Sequence, residues 1–533
     1  MTLLPRYGTN GTKQTMAMDQ VSHTRLAAAH WPAAPSPHSL DVTVGDALRE
    51  AARRRPDRIA LVDGTEDRET RRQWTYAELL DTSLRWARAL RREFDPGDRV
   101  AVWATNCPEW ILFQFGTALA GLTLVTVNPA YRSSELGFVL RQSRAQGILV
   151  QRELRGRDLP GVVHEIADQL PELRWVMPLD QWVAYVEEAD PGDVETDLPP
   201  VRPEDPVQIQ YTSGTTGFPK GAYLAHQGMA LNARLYAEAI GASERDTWVN
   251  PLPLFHTAGC GLATLGILQT GGCHVLPQGF ETDLMFDLID TYKATVTLGV
   301  PTMFIRMLEK LPTGSMLLDS LRIVTTGGAP VPVELVRRLE KEFGVMVAIG
   351  FGQTESSPYI THTRPGQDLP HWAETVGRPL PRVEVKISRP DGSVADVDEG
   401  GEICTRGVCV MKGYFENPEA TSQTIDQNGW LHTGDVGTMD SHGYVRVLGR
   451  FKDLIIRGGE NIYPRDVEAA LSEHPDVTDV AVVGLPDGEW GEIVGAFVQT
   501  SKPLTADGLQ AFLRGKLASY KIPQVWRFPK EFP

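Results

Sequence analysis

From residue 45 onward the chain alternates two kinds of apolar pattern, and this alternation limits the available folds more than any other feature. VGDALREAARRR carries apolar residues at a helical period and RIALVD is a short strand-like run; WTYAELLDTSLRWARALRR returns to the helical period and RVAVWA to the strand-like one. A strand turns successive side chains to opposite faces, whereas a helix gathers positions three and four apart, so neither pattern can serve for the other. Repeated in this order they predict an α/β fold with layered, mostly parallel sheets and helices. Further strands are expected at 122–127, 147–151, 294–300, 321–328 and 345–352. Several end in glycine. Ligands of parallel sheets collect at the carboxyl ends of strands, so Gly327-Gly328 and Gly350-Phe351-Gly352 mark a place to look for a site.

At 533 residues the chain exceeds one ordinary core and predicts two to four compact units. The proline- and acid-rich stretch 191–206 reads as a surface connection rather than a boundary. The better boundary lies near Gly449–Asp453. Beyond it, 465–474, 477–499 and 506–520 form a helix, strand, turn, strand and helix succession, a small α+β unit of about 80 residues. The expected layout is a leader over 1–44, poorly ordered at its start, a large domain over 45–451 and a small C-terminal domain over 452–533. A net charge of −16 disfavours nucleic acid and anionic membranes as partners. A mean hydropathy of −0.21, with no uninterrupted apolar run near 18 residues, argues against an integral membrane span. Five scattered cysteines without metal-ligand spacing suit reduced thiols, and the N-terminus lacks the apolar segment of a secretory signal; both point to the cytoplasm.

One segment carries chemistry on its face. In YTSGTTGFPKGA (211–222), glycines let backbone N–H groups approach an anion, hydroxyls add donors and one lysine supplies charge, a combination suited to phosphates. It is not a Walker A loop, because Pro219 stands where that motif has glycine and Gly221 follows Lys220 in place of Ser or Thr. By itself such a segment also reads as a glycine-rich surface turn with a solvated lysine.

The longer spacing YTSGTTGFPKG resembles the signature of the adenylate-forming enzymes, the superfamily of acyl-CoA synthetases, luciferases and adenylation domains. LPLFH (252–256), TTGGAP (325–330), GFGQTES (350–356), LHTGD (431–435) and GRFKDLIIRGGENIYP (449–464) follow in the family's order, so the resemblance covers about residues 45–530. It implies that Thr212, Ser213, Gly214, Thr215, Thr216, Gly217 and Lys220 clasp the β- and γ-phosphates of ATP, and that Thr212 and Glu355 hold Mg²⁺. Gly328, Ala329 and Pro330 would line the adenine with Phe351 and Gly352; Thr354 would reach the α-phosphate, and Asp435 and Arg450 the ribose hydroxyls. Position 351 is commonly tyrosine in the family, and phenylalanine keeps the ring. A carboxylate beside Thr354 suits a hard cation, and an aspartate suits a vicinal diol. Taken alone, Asp435 also reads as a turn residue after Gly434.

The implied reaction is attack of a substrate carboxylate on the α-phosphorus with loss of pyrophosphate, then transfer of the acyl group to coenzyme A. Lys220, His256, Thr354 and Glu355 are the implied catalytic set. The acyl pocket would begin at His256 and Thr257 and include Gly261, Thr302 and Met303; small or apolar neighbours without arginine or lysine favour an apolar carboxylic acid. Alone, His256 also reads as a packed core histidine. NPAYRSSEL (128–136) and TVGRPLPRVEVKI (375–387) look most like medium- and long-chain fatty acyl-CoA synthetases. The small domain would swing about Lys452 and bring Gly458, Gly459 and Glu460 to the pantetheine arm, although Lys452 beside Asp453 also reads as a surface pair. The resemblance admits a homodimer.

The chain departs from the family at YKIPQVWRFPKEFP, where it stops before the glycine-lysine motif whose lysine bridges acid and nucleotide. Impaired adenylation is expected of this polypeptide. A tail outside this sequence, an enzyme that only forms thioesters from preformed acyl-adenylate, and dependence on a partner are three accounts of that departure. Transfer to an amine or a carrier-protein thiol is the other reading of the second step.

Overall fold

The computed structural model describes residues 25–188, 198–212, 219–312, 314–365, 372–457, 460–488, 490–530 and 532. The chain separates into two compact units. The larger comprises Pro32–Val385 and Cys404–Thr433, the smaller Lys386–Ile403 and Gly434–Pro533 with the N-terminal segment through Trp31.

Two twisted sheets build the larger unit. Six strands of the nine-stranded sheet run parallel in the order Met346–Gly352, Ile323–Gly327, Val296–Gly299, Thr247–Val249, Cys273–Pro277 and Ile59–Gly64. Antiparallel strands close both of its edges: Tyr359–His362 and Arg378–Pro379 on one side, Gln73–Thr75 on the other. The six-stranded sheet is parallel through Pro206–Thr212, Thr123–Thr126, Arg99–Trp103, Gly147–Val150 and Trp175–Pro178, and ends in the antiparallel strand Lys220–Ala225. Every strand expected in this region forms within a residue or two of its predicted limits, because buried β-branched runs between glycines have no competing helical face to satisfy.

Helices cover the sheets. Val44–Arg54 and Tyr76–Arg91 each begin at a threonine, Thr43 and Thr75, whose hydroxyl accepts the N3 backbone N–H while the N3 carboxylate reaches back to the cap, so two orphan donors are satisfied at each start. With Pro108–Leu119, which is buried all round, they enclose a core built on Trp86, Trp110, Phe113 and Phe115. None of the five cysteines is in a disulfide, and Cys260, Cys404 and Cys409 are buried.

In the smaller unit Val477–Asp487 and Gly491–Thr500 form the expected hairpin against Pro464–Ser472 and Ala506–Leu513, over a core including Val467, Val494 and Leu509. The second helix is shorter than the 506–520 expected: it stops at Leu513, before Gly515, whose backbone freedom opposes continuation. Strands Ile455–Arg457, Glu460–Ile462 and Val525–Arg527 complete the sheet. No helix among the described residues is long and apolar enough to cross a membrane.

Candidate active site

The rims of the YTSGTTGFPKGA segment are strand residues. Pro206–Thr212 pairs antiparallel with Lys220–Ala225 so that Thr212 stands opposite Lys220. Ser213, Gly214, Thr215, Thr216 and Gly217 lie outside the described residues. Thr212 Oγ1 is 3.4 Å from Glu355 Oε1, across a separation of 143 residues. Glu355 sits in the 3₁₀ turn Thr354–Ser356 directly after the Met346–Gly352 strand and is buried, with 8% of its surface exposed; Thr354 is half-buried. A buried carboxylate needs partners. The Tyr414 hydroxyl donates to the same Oε1 at 2.7 Å, while among the described residues Oε2 receives no hydrogen bond.

Tyr414 belongs to no predicted motif, yet it touches two predicted site residues. The Lys220 ammonium lies over its ring face, 5.1 Å from the centroid. The segment around it is pinned to the site: Met411 N–H donates to the Glu355 carbonyl at 2.8 Å, Tyr223 N–H to the Gly413 carbonyl at 2.9 Å and Phe415 N–H to the Gly221 carbonyl at 2.8 Å. Burial, with the adjacent Glu355 carboxylate, raises the pKa of the phenol, so it stays a proton donor. Its contact with Glu355 spans 59 residues, and no local pattern marks it.

Gly328, Ala329 and Pro330 follow the Ile323–Gly327 strand and are exposed; Phe351 and Gly352 end the neighbouring parallel strand and are half-buried. The two predicted adenine-lining groups therefore share one carboxyl edge. Gly328 has φ +73°, a conformation that costs side chains other than glycine. At Gly352 a Cβ would lie 1.9 Å from the Pro358 carbonyl oxygen, so only glycine fits without displacing backbone.

The LPLFH loop is fastened by Asn106, which donates to the Leu252 carbonyl at 3.0 Å and accepts from Leu254 N–H at 2.8 Å. His256 at its end is exposed, its ring tilted by 42° against that of Phe255 with centroids 4.2 Å apart; the packed-core alternative for His256 is not what the structure has. Protein crowding on its other side lowers its pKa, which leaves the ring neutral near pH 7. Thr257 and Gly261 are buried, Thr257 at the start of and Gly261 within a wide π-helical segment, Ala258–Ala263. Ala258, Leu262 and Met303 meet in one apolar cluster with Tyr236 and Trp248; Thr302, beside Met303, is exposed.

In the smaller unit Asp435 and Arg450 face each other across an antiparallel pair, with Arg450 Nε donating to Asp435 Oδ1 at 3.1 Å. Burial raises the Asp435 pKa against the opposing pull of Arg450. Lys452 is exposed in the 3₁₀ turn Phe451–Asp453 and forms no ion pair within the described residues, so the surface pair with Asp453 is absent. Gly458 and Gly459 lie outside the described residues, and Glu460 opens the Glu460–Ile462 strand.

Two family models match the chain, the AMP-binding enzyme over residues 48–415 and the AMP-binding enzyme C-terminal domain over 466–533. The chain belongs to the AMP-binding enzyme family. It is an adenylate-forming enzyme of the acyl-CoA synthetase type, an acid–thiol ligase. YngI of Bacillus subtilis (strain 168), named provisionally as an acyl-CoA synthetase, is 37% identical over 92% of this chain and 94% of its own length. The human mitochondrial medium-chain acyl-CoA ligase ACSF2 is 32% identical over 93% of this chain and 86% of its own. Among solved structures, the o-succinylbenzoate CoA synthetase of Bacillus subtilis in complex with its acyl-adenylate intermediate superposes with a TM-score of 0.78, at 31% identity over 91% of this chain and 95% of that one. Activation of an acid through acyl-AMP and transfer to coenzyme A follow from this membership.

Proposed function

We propose that this AMP-binding enzyme activates an apolar, fatty or similar, carboxylic acid and that the predicted residues carry the steps. The observation that carries the assignment of the site is that Glu355, 143 residues further along the chain, comes within 3.4 Å of Thr212, while Lys220, paired with Thr212 across the two antiparallel strands, lies over the ring of the tyrosine that bonds Glu355. Ser213 to Gly217 and Lys220 hold the β- and γ-phosphates, Gly328 to Pro330 with Phe351 and Gly352 enclose the adenine, and Asp435 and Arg450 take the ribose hydroxyls. The Thr212 hydroxyl and the Glu355 carboxylate, oxygen donors 3.4 Å apart, are the ligand chemistry a hard cation selects, so these two would hold Mg²⁺. When bound, the ion supplies charge neutralisation for the phosphoryl oxygens.

In the first step a carboxylate oxygen bonds to the α-phosphorus and the bond to pyrophosphate breaks. Lys220 balances the charge leaving with pyrophosphate, and Thr354 orients the α-phosphate. In the second, the coenzyme A sulfur attacks the acyl carbon and AMP leaves. The hinge at Lys452 brings Gly458, Gly459 and Glu460 to the pantetheine arm, which places the working boundary between a domain over 45–451 and a lid over 452–533.

The apolar-acid reading rests on the cluster of Ala258, Leu262 and Met303 and on a neutral His256, which offers no fixed cation to a second carboxylate. The five cysteines, none of them in a disulfide, fit a cytoplasmic enzyme, and a homodimer is the proposed assembly, read by light scattering.

The test is incubation with ATP, magnesium, coenzyme A and a panel of acids, following AMP, pyrophosphate and thioester separately. Thioester formation confined to apolar acids is expected. Reaction only with small charged acids refutes the pocket assignment, and AMP release that needs an amine or a carrier protein in place of coenzyme A refutes the acceptor.

A further inference from the structure

We propose that Tyr414 is a positioning residue that sets Glu355 and Lys220 in register with each other, its hydroxyl holding one and its ring face the other. The inference rests on the reading of Thr212, Lys220 and Glu355 as the set that handles phosphate and cation.

Two contacts define the device. The hydroxyl donates to Glu355 Oε1 at 2.7 Å, a charge-assisted bond that fixes the rotation of the carboxylate and leaves Oε2 without a hydrogen bond among the described residues. The ring receives the Lys220 ammonium 5.1 Å from its centroid, inside the range of a cation–π contact. An aspartate or glutamate at 414 could pair with Lys220 but would repel Glu355, and a lysine or arginine would do the reverse. A phenol offers both a donor to the anion and an electron-rich face to the cation, on a single side chain.

The support under Tyr414 is rigid. Its N–H donates to Thr421 Oγ1 at 2.9 Å, its carbonyl accepts from Asn417 N–H at 3.1 Å, and residue 414 bridges to Ala222 on the Lys220–Ala225 strand. At Gly413 a Cβ would lie 2.8 Å from Thr421 Cγ2, so the preceding residue is closed in as well. The Pro418–Thr424 helix, capped by the Asn417 side chain, thereby anchors the ring. Tyr414 itself is 9% exposed within the main core cluster, which keeps water from competing for Glu355.

The experiment is a set of double-mutant cycles read by calorimetric binding of magnesium-ATP to the full chain without acid or coenzyme A, with melting temperature recorded for each variant. Y414F keeps the ring and loses the hydroxyl; it is expected to weaken magnesium-ATP binding about tenfold or more in the wild-type background. The loss should shrink severalfold in the E355Q background, whose amide oxygen still accepts but carries no charge, and persist in K220A. Y414L removes the ring as well and should add a further severalfold loss that vanishes in K220A. A Y414F effect of equal size in the wild-type and E355Q backgrounds, or no effect where E355Q has a large one, overturns the proposal, and an unchanged Y414F melting temperature keeps these results clear of misfolding. Should Y414L not fold, the Y414F cycles with E355Q and K220A decide alone. If folded wild-type chain takes up no magnesium-ATP, the reading of the site itself falls, and the proposal with it.

Discussion

Removing the Asp246 carboxylate should destabilise the nine-stranded sheet without touching catalysis. Asp246, Thr295 and Arg322 immediately precede the adjacent strands Thr247–Val249, Val296–Gly299 and Ile323–Gly327, at the edge opposite to the carboxyl ends that carry Gly328 and Phe351. The Asp246 carboxylate accepts from Arg322 Nε at 2.8 Å and Nη2 at 2.9 Å, from Thr295 Oγ1 at 2.7 Å and from Ser243 N–H at 2.7 Å. The side chains of Asp246 and Arg322 are 5% and 27% exposed. Breaking a buried pair by deleting one partner costs about 3–5 kcal/mol, and the partial exposure of Arg322 puts D246A at the lower end, about 3 kcal/mol. Burial alone would raise the Asp246 pKa; the bonds from Arg322 and Thr295 outweigh it and hold the carboxyl below the ordinary 3.8. A lowered folded pKa contributes stability that is full above the unfolded value and is lost as pH falls through the folded one. Urea unfolding of wild type and D246A should therefore differ by a constant amount from pH 8 to about pH 5, with the gap closing below about pH 4. D246L/R322L should recover part of the loss, and kcat per folded molecule at pH 7.5 should stay at the wild-type value. A D246A loss under about 1 kcal/mol, or a gap that persists undiminished at pH 3, refutes the assignment.

Asp435→Ala should raise the KM for ATP by about tenfold or more through loss of charged acceptors for the ribose diol. Its melting temperature should change little, because the Arg450 side chain it abandons is 57% exposed; steady-state kinetics and a thermal scan check both. Gly352→Ala places a Cβ 1.9 Å from the Pro358 carbonyl and should cost about 1–3 kcal/mol while displacing Phe351, so stability and nucleotide affinity fall together, by denaturation and calorimetry. Met303→Trp adds bulk to the apolar cluster with Ala258 and Leu262 and should shift the preferred acid to shorter chains, measured as kcat/KM across a homologous series; an unchanged profile removes Met303 from the pocket.

What could be read ahead of the structure follows from the range of the interactions involved. Strands such as Ile323–Gly327 and Met346–Gly352 were legible because burial on both faces writes itself into consecutive residues, and glycines at their ends mark where the chain must turn or be approached closely. The pairing of Thr212 with Lys220 is local too, eight residues apart, but a loop rich in glycine and hydroxyls does not announce that its two rims are strands, and only the antiparallel register reveals that they face each other. His256 was ambiguous for a different reason: an apolar neighbourhood in sequence is compatible with a packed ring or with one at a pocket mouth, and exposure is a property of the fold.

Tyr414 lay beyond any local reading. Its partners are 59 residues back at Glu355 and further back still at Lys220, and a tyrosine before Phe415 looks like one more core aromatic. A family signature picks out residues that contact the substrate; the residue that orients those residues makes its contacts only inside the protein, so its chemistry shows as a pair of distances. That argues for looking at the contacts of each assigned residue before its substrate: Glu355 is buried, a buried carboxylate must be satisfied, and the group that satisfies it also shapes what it can bind. By the same reasoning Asn106, which holds both ends of the Leu252–Leu254 turn, should govern the acyl side as Tyr414 governs the phosphate side. Asn106→Ala leaves the buried Leu252 carbonyl and Leu254 N–H short of a partner and frees the loop that ends in His256. Its kcat/KM for the acid should fall about tenfold or more while the affinity for magnesium-ATP is retained, and an equal fall in both would place Asn106 in general folding instead.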